Sequence, residues 1–141
     1  MSSFAPIVKL RHHKVEAIQK ELSLAQNYLI AKEAHKISLI NELSDLMTPA
    51  SGKVSEFIAL KTQQQVFRDE IERCIVEINS AKNAIGMLRN QLKIAQIEFE
   101  KIDHLNKDYE AKRAVKIQKQ ENMVLEEAGI NAHIFKNGAT V

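Results

Sequence analysis

Apolar residues recur along this chain at alternating steps of three and four. With the first position of a seven-residue repeat placed at Val8, that position falls on Val8, Val15, Leu22, Leu29, Lys36 and Leu43, and the fourth on Arg11, Ile18, Ala25, Lys32, Leu39 and Leu46. The pattern then lapses and resumes at Phe57. Its first positions become Phe57, Gln64, Ile71, Ile78, Ile85, Leu92 and Phe99; its fourth become Leu60, Phe67, Cys74, Ala81, Leu88, Ala95 and Ile102, with Tyr109 continuing the row. Such a repeat drifts slowly around an α-helix, so helices that keep their stripes in contact wrap into a left-handed coiled coil. The basic residues on the stripe can lay their stems along the seam and keep their charges in water.

Between the two runs lies "LMTPASGKVSEF". Its Gly52–Lys53 pair has the look of a phosphate-binding loop, but that loop needs Gly-x-x-x-x-Gly-Lys-Ser/Thr after a strand. Here Met47 stands at the first glycine position, Val54 follows the lysine, and no strand-like run precedes. A turn explains the residues better. Pro49 lacks the donor a continuing helix needs, Gly52 allows positive φ, and Thr48 and Ser51 can bond freed backbone groups.

Folding the chain at this turn aligns Leu46 with Phe57, Leu43 with Leu60, Leu29 with Cys74, Ile18 with Ile85 and Val8 with Ala95, and brings Phe4 to Phe99 at the last layer. Each layer joins a first position to a fourth, as antiparallel pairing requires, and small residues face large ones. The expected fold is all-α, a two-helix antiparallel coiled-coil hairpin. Residues 1–141 form a single domain, with a helix over about 4–47, a turn at 48–54, a longer helix over about 55–128 capped near Gly129, and a tail over 129–141. The second helix would span roughly 110 Å at 1.5 Å per residue. Beyond Phe99, the residues Ile102, Tyr109, Ile117, Met123 and Val124 would have no partner within the chain. A lone helix this apolar on one side is marginal in water, so this overhang needs a partner.

Composition agrees. Among 141 residues there are four glycines, two prolines, no Trp and 5% aromatics, too little punctuation for a sheet-rich fold, which needs turn signals roughly every 8–12 residues. The net charge of +2 is the balance of many charges of both signs, which forces no strong nucleic-acid field. A lone Cys74 points to a reducing compartment. The start "MSSFAPIVKLRHHK" is unlike a secretory signal, and no run approaches the ~18 apolar residues of a membrane span. The expected location is the cytoplasm, without direct membrane insertion.

Little in the sequence can carry chemistry. His12, His13, His35, His104 and His133 form no metal-binding spacing, and Cys74 falls on the seam as a small apolar residue. A two-helix hairpin also lacks the concave, water-excluding pocket that catalysis uses. The reading is of a non-enzyme without cofactor, catalytic residue or metal site. Three surface features remain. A basic N-terminal group (Lys9, Arg11, His12, His13, Lys14) lies near the base of an overhang carrying Lys101, Lys107, Lys112, Arg113, Lys116 and Lys119, which suits docking on an acidic partner. A stripe of Ile30, Ala34 and Ile37 lies outside the seam. The tail "GINAHIFKNGATV" carries Ile130, Ile134 and Phe135.

The opening "FAPIVKLRHHKVEAIQKELSLAQ" runs from an aromatic through a Leu–Arg basic step into an acidic–apolar stretch. The closing "KDYEAKRAVKIQKQENMVLEEAGI" runs from a basic segment into the acidic pair Glu126–Glu127 and the small Ala128. In this order of features, over nearly its whole length, the chain resembles the flagellar type III export stalk protein, the FliJ family, or its injectisome counterpart. It departs from the pattern in its short loop and in Lys32 and Lys36 on the seam. The resemblance implies a stalk seated in the central pore of the hexameric export ATPase, contacting the cytoplasmic domain of the export gate and the substrate chaperones, peripheral at the membrane-associated apparatus. It would place Phe4, Arg11, Lys14, Tyr109, Arg113 and Lys116 at the ATPase, and Ile30, Ala34, Ile37 and Phe67 at the gate.

Two rival readings belong to other classes. A homodimeric coiled-coil scaffold unrelated to secretion would pair the overhangs of two copies. A nucleic-acid-binding coiled coil would need aromatics interleaved among the basic residues or a recognised motif, and the sequence has neither.

Overall fold

A computed structural model describes residues 4–46 and 52–139, with side chains through 136. Two helices are described, α1 (Ala5–Asp45) and α2 (Val54–Ala139), and no strand occurs among the described residues. The chain divides into two compact units, one formed by Met1–His13 with Ile97–Val141 and the other by Lys14–Gln96.

Helix α1 starts where the Phe4 carbonyl accepts the first intrahelical bond, from Val8 N–H at 2.9 Å. Pro6 falls in this first turn, where a missing donor costs nothing. At the other end, Leu46 N–H turns back to the Leu43 carbonyl at 3.2 Å, a tightened last turn. Thr48, Pro49 and Ser51, assigned to the turn from sequence, lie outside the described residues. Gly52 is described, and it does not adopt positive φ. A Cβ there would sit 2.6 Å from Glu56 Oε2, the movable end of an exposed carboxylate. That carboxylate reaches back to the Lys53 backbone N–H at 3.3 Å, while the Lys53 carbonyl accepts from Glu56 and Phe57. This is half of a capping box, and it starts α2.

In the unit Lys14–Gln96 the seam is where the heptads put it. Val15, Ile18, Leu39, Cys74, Ile78, Ala81, Ile85 and Ala95 are buried, and all of them are seam positions. Burial of an aliphatic side chain of this kind contributes about 1.5–3 kcal/mol. The alignment along the seam differs from the expected one by about one heptad. Lys32 was expected opposite Ile71, but its Nζ lies 2.6 Å from Glu77 Oε2. Leu46 was expected opposite Phe57, but its carbonyl faces the Gln64 amide at 3.5 Å. A shift of seven residues keeps every first-to-fourth pairing, so periodicity alone could not choose between the two alignments.

The other unit shows the same displacement. Phe4 meets Tyr109 edge-on at 6.0 Å rather than Phe99, and Phe99 instead lies 5.2 Å from the His12 ring. Arg11 Nη1 bonds Glu98 Oε2 at 2.9 Å. Consequently Ile102 and Tyr109 are half-buried, contrary to the expectation that both lie beyond cover. Asn106 takes the seam position between them, and its Oδ1 is covered without a hydrogen-bond partner. From residue 110 to 136 every side chain is exposed. The helix also runs through Gly129 to Ala139, where the sequence suggested a cap and a tail. Gly129 does not adopt the positive φ a glycine cap uses, so no local geometry stops the helix there.

Candidate functional site

The site with the most exposed chemistry follows directly from the seam. The row of α2 that carries Phe99, Ile102, Asn106 and Tyr109 continues as Arg113, Lys116, Gln120, Met123 and Glu127. Up to Tyr109 this row is covered; past it the same row is open and turns cationic. Tyr109, Lys112, Arg113, Lys116, Ile117 and Gln120 line one shallow groove, and Ile117, Gln120, Glu121, Val124 and Leu125 line the next.

The charges along this segment are unequally satisfied. Lys107 pairs with Asp103 at 2.9 Å and Lys112 with Asp108 at 3.1 Å, each across one helical turn. Among the described residues, Arg113, Lys116 and Lys119 make no ion pair. For Lys116 and Lys119 the reason is sequence: no acidic residue stands three or four positions away on either side. The site thus offers an aromatic edge, three unpaired cations and apolar side chains without cover.

Of the six residues assigned from sequence to the ATPase, Phe4 and Tyr109 are brought together, and Arg113 and Lys116 extend the Tyr109 row. Arg11 lies in the same unit but is committed to Glu98. Lys14 belongs to the other unit. Of the four gate residues, Ile30, Ala34 and Ile37 are exposed along α1, Ile30 and Ile37 by 64% and 58%. Phe67 does not join them, because it is half-buried on the seam of α2. Ile30 borders a groove with Gln26, Leu29, Lys82, Ile85 and Arg89.

One feature of this unit was missed from sequence. Tyr28 stands 47% exposed over a groove floored by the small residues Ala25, Ser80, Ala81 and Ala84. The Lys32 ammonium lies 5.6 Å from its ring centre, within cation–π range. The four-residue step from Tyr28 to Lys32 was the available signal. The Lys32 ammonium is held above its ordinary value of 10.5, first by the hydrogen bond to Glu77, against an opposing contribution from burial.

Cys74 is buried as a free thiol. Among the described residues no group of three or more His, Cys, Asp or Glu could hold a metal ion, and no helix is long and apolar enough to cross a membrane. Compared with known families, residues 1–138 match the family model described as flagellar FliJ protein. No curated protein and no solved structure matches the chain.

Proposed function

On the premise that this chain belongs to the flagellar FliJ family, and is therefore a component of the flagellar export apparatus, we propose that it is the non-enzymatic stalk of that apparatus. It inserts into the hexameric export ATPase and contacts the cytoplasmic domain of the export gate and the substrate chaperones. The open row beyond Tyr109 supports this reading most directly. Arg113 and Lys116 hold the positions that helix α1 covers one heptad earlier, and neither has an ion-pair partner. A ring that closes around this segment covers the apolar groups and supplies the missing acidic partners, which a solvated helix cannot do for itself.

Phe4 and Tyr109 form the aromatic base of the ATPase contact, with Arg113 and Lys116 above it. Arg11 supports the site by tying α1 to α2 through Glu98. Ile30, Ala34 and Ile37 offer the gate an apolar strip on a separate unit. Phe67 contributes to that strip only by packing the seam. The experiment is co-purification of the chain with the hexameric export ATPase, comparing wild type with Arg113→Glu/Lys116→Glu. Reversing these charges lowers retention by at least about tenfold, on the scale of two charge contacts, with helicity unchanged. Undiminished retention at matched helicity removes the assignment.

A further inference from the structure

We propose that residues 109–134 of helix α2 pair, antiparallel, with the same segment of a second copy of this chain. The observation is a charge pattern that the segment cannot satisfy alone and that four of its charges satisfy against a second copy, with Arg113 left opposite Ile130. Its first half carries Lys116 and Lys119, and its second half carries Glu126 and Glu127. None of the four has an opposite charge three or four residues away, and among the described residues none makes an ion pair. An acidic partner alone would satisfy the first half and be repelled by the second.

Two copies related by a two-fold axis between Glu121 and Asn122 resolve both halves. Lys116 of one copy then faces Glu127 of the other, and Lys119 faces Glu126 beside it, each contact occurring twice. The apolar positions agree with the same axis. Gln120 packs on Met123, Ile117 flanks Val124, and the part of Tyr109 that Phe4 leaves open meets Ile134; in the single chain Met123, Val124 and Ile134 are 59%, 64% and 62% exposed. First and fourth positions alternate through every layer, as in the intramolecular seam.

The neighbouring registers fail on charge. A slip of one heptad one way puts Lys119 opposite Lys119, and the other way puts Glu126 opposite Glu126. Parallel pairing sets Arg113, Lys116 and Glu127 each against its own copy. The overlap spans about 39 Å at 1.5 Å per residue, under four heptads, so the pairing is weak, reversible and salt-sensitive. It covers Tyr109, Arg113 and Lys116, and a copy paired in this way cannot present them elsewhere. The pairing requires no other protein, and its truth does not depend on the function proposed above.

Sedimentation velocity on the full chain, at two protein concentrations and at low and high salt, reads the pairing. Wild type shows a dimer that grows with concentration and recedes with salt. Lys116→Glu and Glu127→Lys each weaken it roughly tenfold or more, since two attractive contacts become repulsive, while circular dichroism shows the helix retained. An equimolar mixture of the two variants restores the dimer, because each reversed charge then faces its opposite. Several outcomes overturn the proposal. These are a wild-type chain that stays monomeric throughout, variants that pair as well as wild type, and a mixture that does not recover. Recovery of Lys116→Glu on mixing with wild type rather than with Glu127→Lys would show a parallel pair and overturn it equally.

Discussion

Gly86 sits in the middle of α2 with nothing within 4 Å of where a Cβ would stand, and it has ordinary helical φ. It therefore contributes backbone freedom to the unfolded chain and no packing to the folded one. Gly86→Ala should raise unfolding free energy by about 0.5–1 kcal/mol in urea titration. Asn106 presents the opposite case, a side chain whose oxygen is covered and accepts nothing. Asn106→Leu should stabilise the unit it belongs to by about 1 kcal/mol, through removal of an unsatisfied acceptor. Lys32 gives a pH signature. Its folded value lies above the ordinary 10.5, so its stabilising contact with Glu77 is complete below pH 10.5 and is lost as pH rises through the raised value. The melting-temperature gap between wild type and Lys32→Met should be constant near neutrality and close above that pH.

At the level of the helices, the buried rows carry the stability. Ile85→Ala removes a seam side chain that is 5% exposed and should cost about 2–4 kcal/mol in the same titration. An equivalent change at Ile37, on the open strip, should stay within about 0.5 kcal/mol. Both rows could be read from the sequence. Every first and fourth position from Val8 to Leu46 and from Phe57 to Ile102 is buried or half-buried. The alignment of one row against the other could not, because hydrophobic period is blind to a shift of seven. Charge carried a clue. In the expected alignment Lys32 would have met Glu70, an acceptable partner, but Arg11 would have met Gln91; in the observed one they meet Glu77 and Glu98. The spacing between the two cations matches the spacing between those two glutamates, three heptads in each helix. The helix end was hidden for a simpler reason. A glycine signals a stop only when the backbone there turns to positive φ, and at Gly129 it does not.

For the whole molecule, family membership makes the chain a component of the flagellar export apparatus, and the open face of α2 is the surface on which both proposals above rest. Of the proposed ATPase contact, the heptad row in the sequence reaches only Tyr109; Arg113 and Lys116 came with the family resemblance, and the edge-on contact of Phe4 with Tyr109 was concealed by the one-heptad shift. Phe67, named for the gate with the resemblance, also holds a seam position in the heptad row and is half-buried there.

The absence of cover beyond Tyr109 also determines how this helix breathes. Before that point an amide proton can exchange with solvent only when two helices part. After it, exchange requires no more than a local loss of helical turns, which is a far smaller event. One unbroken helix therefore contains two clocks. In deuterium-exchange mass spectrometry, amides over residues 110–136 should label well ahead of those over 74–95. Any protein that seats on the segment should slow that early phase while leaving the late one where it was, marking the partner's footprint along the backbone residue by residue.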